Sequence, residues 1–323
     1  MLSLYTSIIL ISTLSLAVVT VGIFSNHFLS QRKRKGFHAL FLLLIGLSWL
    51  EWLSAMLNGY DADYRTLHIL AKFAELSLTP IVPIAAINIF SPVKKHIIYA
   101  PAAFNLLLQL YSLKSGCVFS VDSFNVYTRG PLYLLYVLTF VSTAAILVYY
   151  CISFSREYQY SEFAFLSMIV VLILISVLLP IIAPSLRLDW TCMSFASILF
   201  YIYYIQLKYQ TDSVTSLLNR RAFDYAVKNI SHPTTIIFFD VDNFKKVNDT
   251  LGHGYGDHCL RTLGSELKRT IGKHGFCYRF GGDEFCVIMK KNISDIGKLI
   301  VNYLERAEKI KSTDAHFPGI SVG

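Results

Sequence analysis

Charge is what this sequence has least of. Only 15% of its 323 residues are Asp, Glu, Lys or Arg, against 54% hydrophobic residues. That balance is too apolar for an ordinary soluble protein and suits several membrane spans. The scarce charge is unevenly placed. Residues 1–207 hold 12 Lys+Arg and 8 Asp+Glu, whereas residues 208–323 hold 17 and 13. The shift marks a domain boundary near Lys208. A basic stripe is also missing. The net charge of +8 divides evenly between the two parts, and neither has the face that nucleic acid needs, so no nucleic-acid partner is expected. The six cysteines show no C-x-x-C and no Cys/His zinc spacing, which removes a zinc module. Cys259, Cys277 and Cys286 read as reduced core thiols. Cys117 and Cys192 fall on segments expected to face outward, where a disulfide between them stays open. There is no internal repeat, no low-complexity tract, no Gly/Ser-rich linker and no long heptad run.

Long apolar runs fill the space that charge leaves. A spanning helix needs ~20 mostly apolar residues, and seven segments qualify: Leu4–Phe24, Phe37–Leu57, Leu67–Phe90, Ile97–Leu113, Leu132–Ile152, Phe163–Ala183 and Trp190–Leu207. The first lacks basic residues before it and an A-x-A site after it, so it reads as a retained helix, not a leader. Loop charge orients the bundle. Arg32 to Lys35, then Lys94 and Lys95, then Arg156 beside Glu157 share one side, which should be the cytoplasm. Asp61, Asp63, Arg65, Lys114, Asp122, Arg129, Arg187 and Asp189 occupy the other. An outside N-terminus and a cytoplasmic C-terminal part follow. Lys72 and Glu75, three apart on one helix face, are expected to neutralise each other, with Glu51 near the water interface. Pro80 and Pro83 should kink the third span, and Pro180 and Pro184 the end of the sixth. The loop from Lys114 to Pro131 is the longest outer one, the place for a lid if a ligand enters from outside. Lys208 to Thr211 form a short helical linker, suited to carrying motion between the halves.

The last 112 residues change character. Strand-like and helical runs alternate: helix Leu217–Asn229, strand Thr234–Phe239, helices Phe244–Asn248 and Gly256–Gly272, strands Phe276–Phe280 and Phe285–Met289, helix Asp295–Lys311 and a strand from Gly319. That order means an α/β sandwich around a central sheet. Asp240 sits where its strand should end. Gly281-Gly282 lies between two strands, as in a hairpin whose backbone takes φ > 0 or admits close approach, and its tip carries Asp283 and Glu284. Three converging carboxylates are costly without a cation, and oxygen-only ligands suit Mg²⁺ bridging substrate phosphates.

Gly281 to Phe285 spells the signature of the GGDEF family, the diguanylate cyclases. Four further stretches resemble that family in register: Asp212 to Arg221, Phe239 to Lys245, Asn248 to His253, and Gly256-Asp257. The resemblance covers residues 212–323. It implies a multi-pass α-helical membrane domain (1–207), a linker (208–211) and a GGDEF-type nucleotide-cyclase-like α/β domain with a mostly antiparallel, five-stranded central sheet (212–323). It implies condensation of two GTP into cyclic di-GMP with release of pyrophosphate. By the same resemblance Asp240, Asp283 and the Val241 carbonyl hold Mg²⁺, or Mn²⁺ in its place. Asp283 helps deprotonate the 3′-hydroxyl, Glu284 lies within reach, and Lys245 stabilises phosphate charge. Gly281 and Gly282 leave room for the nucleotide. Asn248 and Asp257 read guanine, and His253 lies between them. Since each domain holds one GTP, the resemblance implies a homodimer. The membrane half is similar in architecture to the seven-span sensor modules of bacterial receptors, implying a bacterial inner-membrane protein with an unnamed sensor ligand.

The chain departs from the family pattern in four places. Val214 stands where Leu is usual and Ser216 where Gly is usual. The product-inhibition Arg-x-x-Asp is replaced by Gly272-Lys273-His274-Gly275, so feedback at that site is not expected. The chain stops at Ile320-Ser321-Val322-Gly323, before the family's last helix with its phosphate-contacting Lys and its closing Gly-Arg-Asn, as a fragment or truncated copy would. Two other functions stay open: a non-catalytic receptor for GTP or cyclic di-GMP, and a transporter or pure membrane sensor with a vestigial tail.

Overall fold

The structure, a computed structural model, describes residues 2–24, 29–90, 96–157, 163–183, 186–290 and 295–323. Lys94, Lys95 and Pro184, and the side chains of Arg156 and Glu157, lie outside the described residues. The chain folds as two compact units that divide at Tyr204–Ile205.

The first unit is helical: α1 (Leu2–Phe24), α2 (Gln31–Leu57), α3 (Arg65–Leu78), α4 (Ile81–Phe90), α5 (Ala100–Ser115), a hairpin of β1 (Phe119–Val121) and β2 (Tyr127–Arg129), then α6 (Tyr133–Glu157), α7 (Phe163–Ile182) and α8 (Asp189–Lys208). Among the described residues, six helical stretches are long and apolar enough to cross a membrane. The fourth expected span, Ile97–Leu113, is a 3-10 turn at His96–Tyr99 running into the 16-residue α5, shorter than those six. The break between α3 and α4 falls at Thr79-Pro80, where proline removes a ladder N–H. Pro180 lies inside α7. Large apolar side chains point away from the bundle: Leu14, Val18 and Val21 on α1 are 62%, 70% and 67% exposed, as lipid-facing residues are.

The basic run after α1 has local work as well. Lys33 donates to the carbonyls of Ile89 and Phe90, and Arg34 to Phe24 at 3.1 Å. These cations cap the C-terminal ends of α4 and α1, where orphan carbonyls and the helix dipole favour them. The loop from Lys114 to Pro131 is a folded hairpin, not a loose lid. Asn125, at φ 61°, accepts from His68 at 2.8 Å and donates to the Leu57 carbonyl at 2.9 Å, and Arg65 donates to Val121 and Asp122. All six cysteines are free. Lys72 and Glu75 pair at 2.7 Å. Glu51 is a correction: it is buried, accepting from the Tyr5 hydroxyl, not at a water interface.

The second unit is a sheet between helices: α9 (Arg220–Lys228), β3 (Ile236–Val241), α10 (Phe244–Leu251), α11 (His253–Thr270), β4 (Gly275–Arg279), β5 (Glu284–Met289), α12 (Ile296–Thr313) and β6 (Ile320–Val322). The strand order is β4-β5-β3-β6, and each neighbouring pair is antiparallel. β3 alternates inward Ile237, Phe239 and Val241 with outward Phe238 and Asp240, the period-2 pattern of a half-buried strand. The inward set packs on α11 and α12 through Leu260, Leu263, Leu267 and Tyr303. The opposite face takes α9 through Ala222 and Phe223, against Tyr278, Cys286 and Ile288. Five strands were expected; among the described residues this sheet has four.

Helix α9 starts three residues later than expected. Asn219 is its N-cap, accepting from the Ala222 N–H at 3.0 Å, which ends any helix to its N-terminal side. Leu217 and Leu218 are instead buried outside any helix, and Leu218 bridges to Tyr278 of β4. Apolar periodicity cannot separate a helical turn from such a strip.

Candidate functional site

The strand register builds the site. Asp240 on β3 lies opposite Glu284 on β5, and on its other side opposite Ser321 on β6. Asp240 and Glu284 are thus cross-strand neighbours on one face, both exposed. Asp283 precedes β5, and its carbonyl accepts from the Val241 N–H at 3.2 Å. Residues 43 apart in sequence therefore meet at one end of the sheet. Partial desolvation, then the nearby Asp283 and Asp242 carboxylates, raise the Asp240 carboxyl above its ordinary value, as like charges do. Asp242 is held aside, accepting from the Ser321 hydroxyl at 2.6 Å. Among the described residues no three His, Cys, Asp or Glu side chains are grouped so as to hold a metal by themselves. The fit to a divalent ion rests on two mutually repelling carboxylates beside the Val241 carbonyl, an all-oxygen set that leaves positions for substrate phosphates.

The hairpin tip is tight. Phe280 and Gly281 N–H groups both donate to the Glu284 carbonyl, at 2.8 and 3.3 Å. Neither Gly281 nor Gly282 has positive φ, which corrects the left-handed option considered for this turn. A Cβ on Gly281 would stand 2.5 Å from Glu284 Oε2, whereas one on Gly282 would meet nothing within 4 Å. A side chain at Gly281 would push aside the exposed Glu284 carboxylate, and Gly282 faces open space where a ligand could lie. Phe280, Phe223 and Phe238 stack edge to face beneath the turn, with the Arg220 guanidinium over Phe280.

Arg279 holds this tip, and sequence reading gave it no role. Its guanidinium donates to the Gly282 carbonyl at 2.7 and 3.2 Å and to both Asp212 oxygens at 3.1 and 3.2 Å. Burial alone would push the Asp212 carboxyl up. The Thr215 N–H and hydroxyl together with Arg279 hold it below the usual range. Part of the signal was available: Asp212 opens one of the recognised stretches, and Arg279 stands two residues before the Gly281–Phe285 signature.

The turn after Asp212 explains one departure. Ser216 sits at φ 58°, a left-handed backbone that glycine adopts freely and serine does not. Ser216→Gly should stabilise the protein by about 0.5 kcal/mol, the relieved strain being partly offset by a looser unfolded chain. A urea midpoint that falls would contradict this.

Asn248, on α10, lies against Gly256, on α11. A Cβ at Gly256 would overlap Asn248 Oδ1 and stand 3.2 Å from Phe244 Cζ. The close approach places Asn248 beside the residue preceding Asp257, so both expected base readers share one corner. Asp257 is 3.6 Å from Arg261. His253 opens α11, exposed, and Lys245 is exposed on α10. Gly256→Ala should displace Asn248 and cost about 1–3 kcal/mol of stability, as overpacking does, and weaken GTP binding. Unaltered affinity and melting temperature would show the contact to be slack.

The residues replacing the product-inhibition motif leave no room for it. A side chain at Gly272 would strike the Lys268 carbonyl, and one at Gly275 would lie 2.6 Å from Val287.

Residues 209–323 match the GGDEF family model, described as diguanylate cyclase, GGDEF domain. The chain is 36% identical over 126 residues to the diguanylate cyclase DgcP of Escherichia coli, covering 35% of this chain and 36% of that relative. It is 35% identical over 118 residues to DgcS of Shewanella oneidensis, covering 34% and 38%. The chain therefore spans little more than a third of the length of these relatives. The crystal structure of the GGDEF domain of DgcB from Caulobacter crescentus with c-di-GMP is similar at 29% identity, covering 35% of this chain and 75% of that one, with a TM-score of 0.31. The matched GGDEF stretch contains Asp240, Lys245, Asn248, His253, Asp257 and the Gly281–Glu284 tip.

Proposed function

We propose that this chain is a membrane-bound diguanylate cyclase. Residues 1–207 form a seven-span sensor, 208–211 a linker and 212–323 the cyclase domain. The N-terminus lies outside and the cyclase in the bacterial cytoplasm. The basic Arg32–Lys35 run and the apolar helices support the orientation. The observation that carries the activity is the pairing of Asp240 with the Gly281–Glu284 hairpin tip inside the matched stretch.

In this reading Asp240, Asp283 and the Val241 carbonyl hold Mg²⁺ or Mn²⁺, which when bound would neutralise triphosphate charge. Gly282 and Gly281 let the nucleotide lie against the hairpin backbone. Asp283 takes the proton of the attacking 3′-hydroxyl, with Glu284 beside it on the open face. Lys245 draws phosphate charge. Asn248 and Asp257 select guanine: a carboxylate accepts from N1–H and the 2-amino group, which adenine lacks. His253 borders that corner. One domain holds one GTP, so two copies must face each other, and a homodimer is required. A non-catalytic GTP or cyclic di-GMP receptor is the second reading, since the same carboxylate-and-glycine corner could hold a nucleotide without turning it over.

The test is to purify the full-length gene product in detergent, add GTP and MgCl₂, and separate the nucleotides. Cyclic di-GMP with two pyrophosphates per product supports the first reading, and saturable GTP binding without product supports the second.

A further inference from the structure

The last turn of α8, from Ile205 onward, belongs to the second unit, and the strap that joins it to α9, residues 209–219, is bonded along its length. Gln210 and Thr211 donate back to the Leu207 and Lys208 carbonyls at 3.3 and 3.2 Å, so the strap leaves the helix without a loose joint. Asn219 closes it. Its side-chain oxygen caps α9 at 3.0 Å, its side-chain nitrogen donates to the Tyr209 carbonyl at 2.7 Å, and its backbone N–H donates to the Gln210 carbonyl at 2.8 Å. Capping a helix needs only the oxygen. The two other bonds fasten the end of α8 to residue 219.

From there the bonds run to the hairpin tip. Leu218 donates to the Cys277 carbonyl at 3.1 Å and accepts from the Arg279 N–H at 2.7 Å. Asp212 receives the Arg279 guanidinium, whose other donors hold the Gly282 carbonyl. The strap therefore sets both the backbone and the side chain of Arg279. It has little room to give. Leu217 and Leu218 are buried, and a Cβ on Gly264 of α11 would stand 3.1 Å from Thr215 Cβ and 3.3 Å from Leu217 Cδ1. The tip has room, since Gly282 faces open space. Packed interiors transmit displacement, so a shift of the α8 end is taken up where the packing ends, at the turn that holds Asp283.

We propose that the strap 209–219 delivers the position of the α8 end to the hairpin tip, and that Asn219 is the positioning residue that engages it. The proposal rests on the reading of the second unit as a cyclase. It adds a route of control that acts within one copy, apart from the pairing of two.

Asn219→Asp and Asn219→Ser both keep a capping oxygen. Aspartate has no donor for the Tyr209 carbonyl, and serine is too short to reach it; the serine variant serves where the aspartate one does not fold. In the full-length protein in nanodiscs, with GTP and MgCl₂, either should lower kcat about tenfold, less than the ~100-fold that a 1 Å misplacement can cost. KM for GTP and the melting temperature should change little. Deuterium exchange without nucleotide should quicken about threefold or more at Val241, Phe280 and Gly281, whose N–H groups bond the tip, as local opening does. Exchange across Cys286–Ile288 should not change. Two glycines inserted after Lys208 should quicken the same tip amides, yet add nothing in Asn219→Asp, because both changes cut one connection. Unchanged kcat and tip exchange in a folded variant, exchange quickened throughout the sheet, or additive effects of the insertion would overturn the proposal. The expected exchange pattern in a parent that forms no cyclic di-GMP would support the strap and overturn the cyclase reading.

Discussion

Asp283→Ala is expected to lower cyclic di-GMP formation by about a thousandfold, equivalent to about 4 kcal/mol in the barrier, while GTP affinity falls far less. The expectation comes from the placement of Asp283 beside Asp240, with its carbonyl fastened to the Val241 N–H. That backbone bond survives removal of the side chain, so the hairpin should keep its shape. The two carboxylates repel each other, so the variant should also be no less stable than the parent. Loss of turnover with an unchanged or slightly raised melting temperature is the pattern of a residue whose charge serves the reaction. The pH dependence has a definite sign. Asp240 titrates above its ordinary value, so its contribution to folding is complete below the unfolded value near ~3.9 and is lost as pH rises through the raised one. Without divalent ion the parent should therefore gain stability in mild acid. In Asp283→Ala, where Asp240 falls back toward its ordinary value, that gain should shrink. A variant that unfolds, or one that retains a tenth of the activity, would remove Asp283 from the proposed role.

The part of this arrangement legible in the sequence is the part written in local pattern. The continuous β-branched and aromatic run Thr234–Phe239 announced a buried strand, though one face of it turns out exposed, and Gly281-Gly282 between two β-branched and aromatic runs announced a hairpin. Their pairing followed, and with it the meeting of Asp240 and the hairpin tip. What was not legible depends on contacts between distant residues. Leu217 and Leu218 carry a helical apolar spacing, yet Leu218 joins the sheet through Cys277 and Arg279, and nothing local announces it. The φ of Ser216 is set by hydrogen bonds back to Asp212, so the substitution of serine looked mild. In the first unit, Lys72 and Glu75 showed their pairing because they are three apart on one helix. Glu51 did not, because Tyr5 approaches it from α1 and Arg187 from the segment before α8.

The second large effect is expected at Arg279, a residue that reaches no substrate in the proposed scheme. Arg279→Ala should cost about 2 kcal/mol of stability. Breaking a fully buried pair costs more, ~3–5 kcal/mol, and this one is only partly shielded, with the two side chains 15% and 19% exposed. Activity should fall more than tenfold, mostly in kcat. The guanidinium fork ties the Gly282 carbonyl to Asp212, so its loss frees the tip that carries Asp283. Arg279→Lys keeps the charge but cannot span two acceptors with a planar fork, and should recover stability better than kcat. Asp212→Asn should reproduce part of the stability loss, and the two changes combined should cost less than their sum, since they remove one shared interaction. The depressed Asp212 carboxyl adds a second signature. Its contribution is present above the unfolded value near ~3.9 and is lost as pH falls through the lower folded one. The parent should thus lose stability in strong acid, and Arg279→Ala should show less of that loss. Urea midpoints and kcat measured on the three variants decide the matter. Additive effects, or a kcat untouched in Arg279→Ala, would mean that the tip holds its geometry without the clamp.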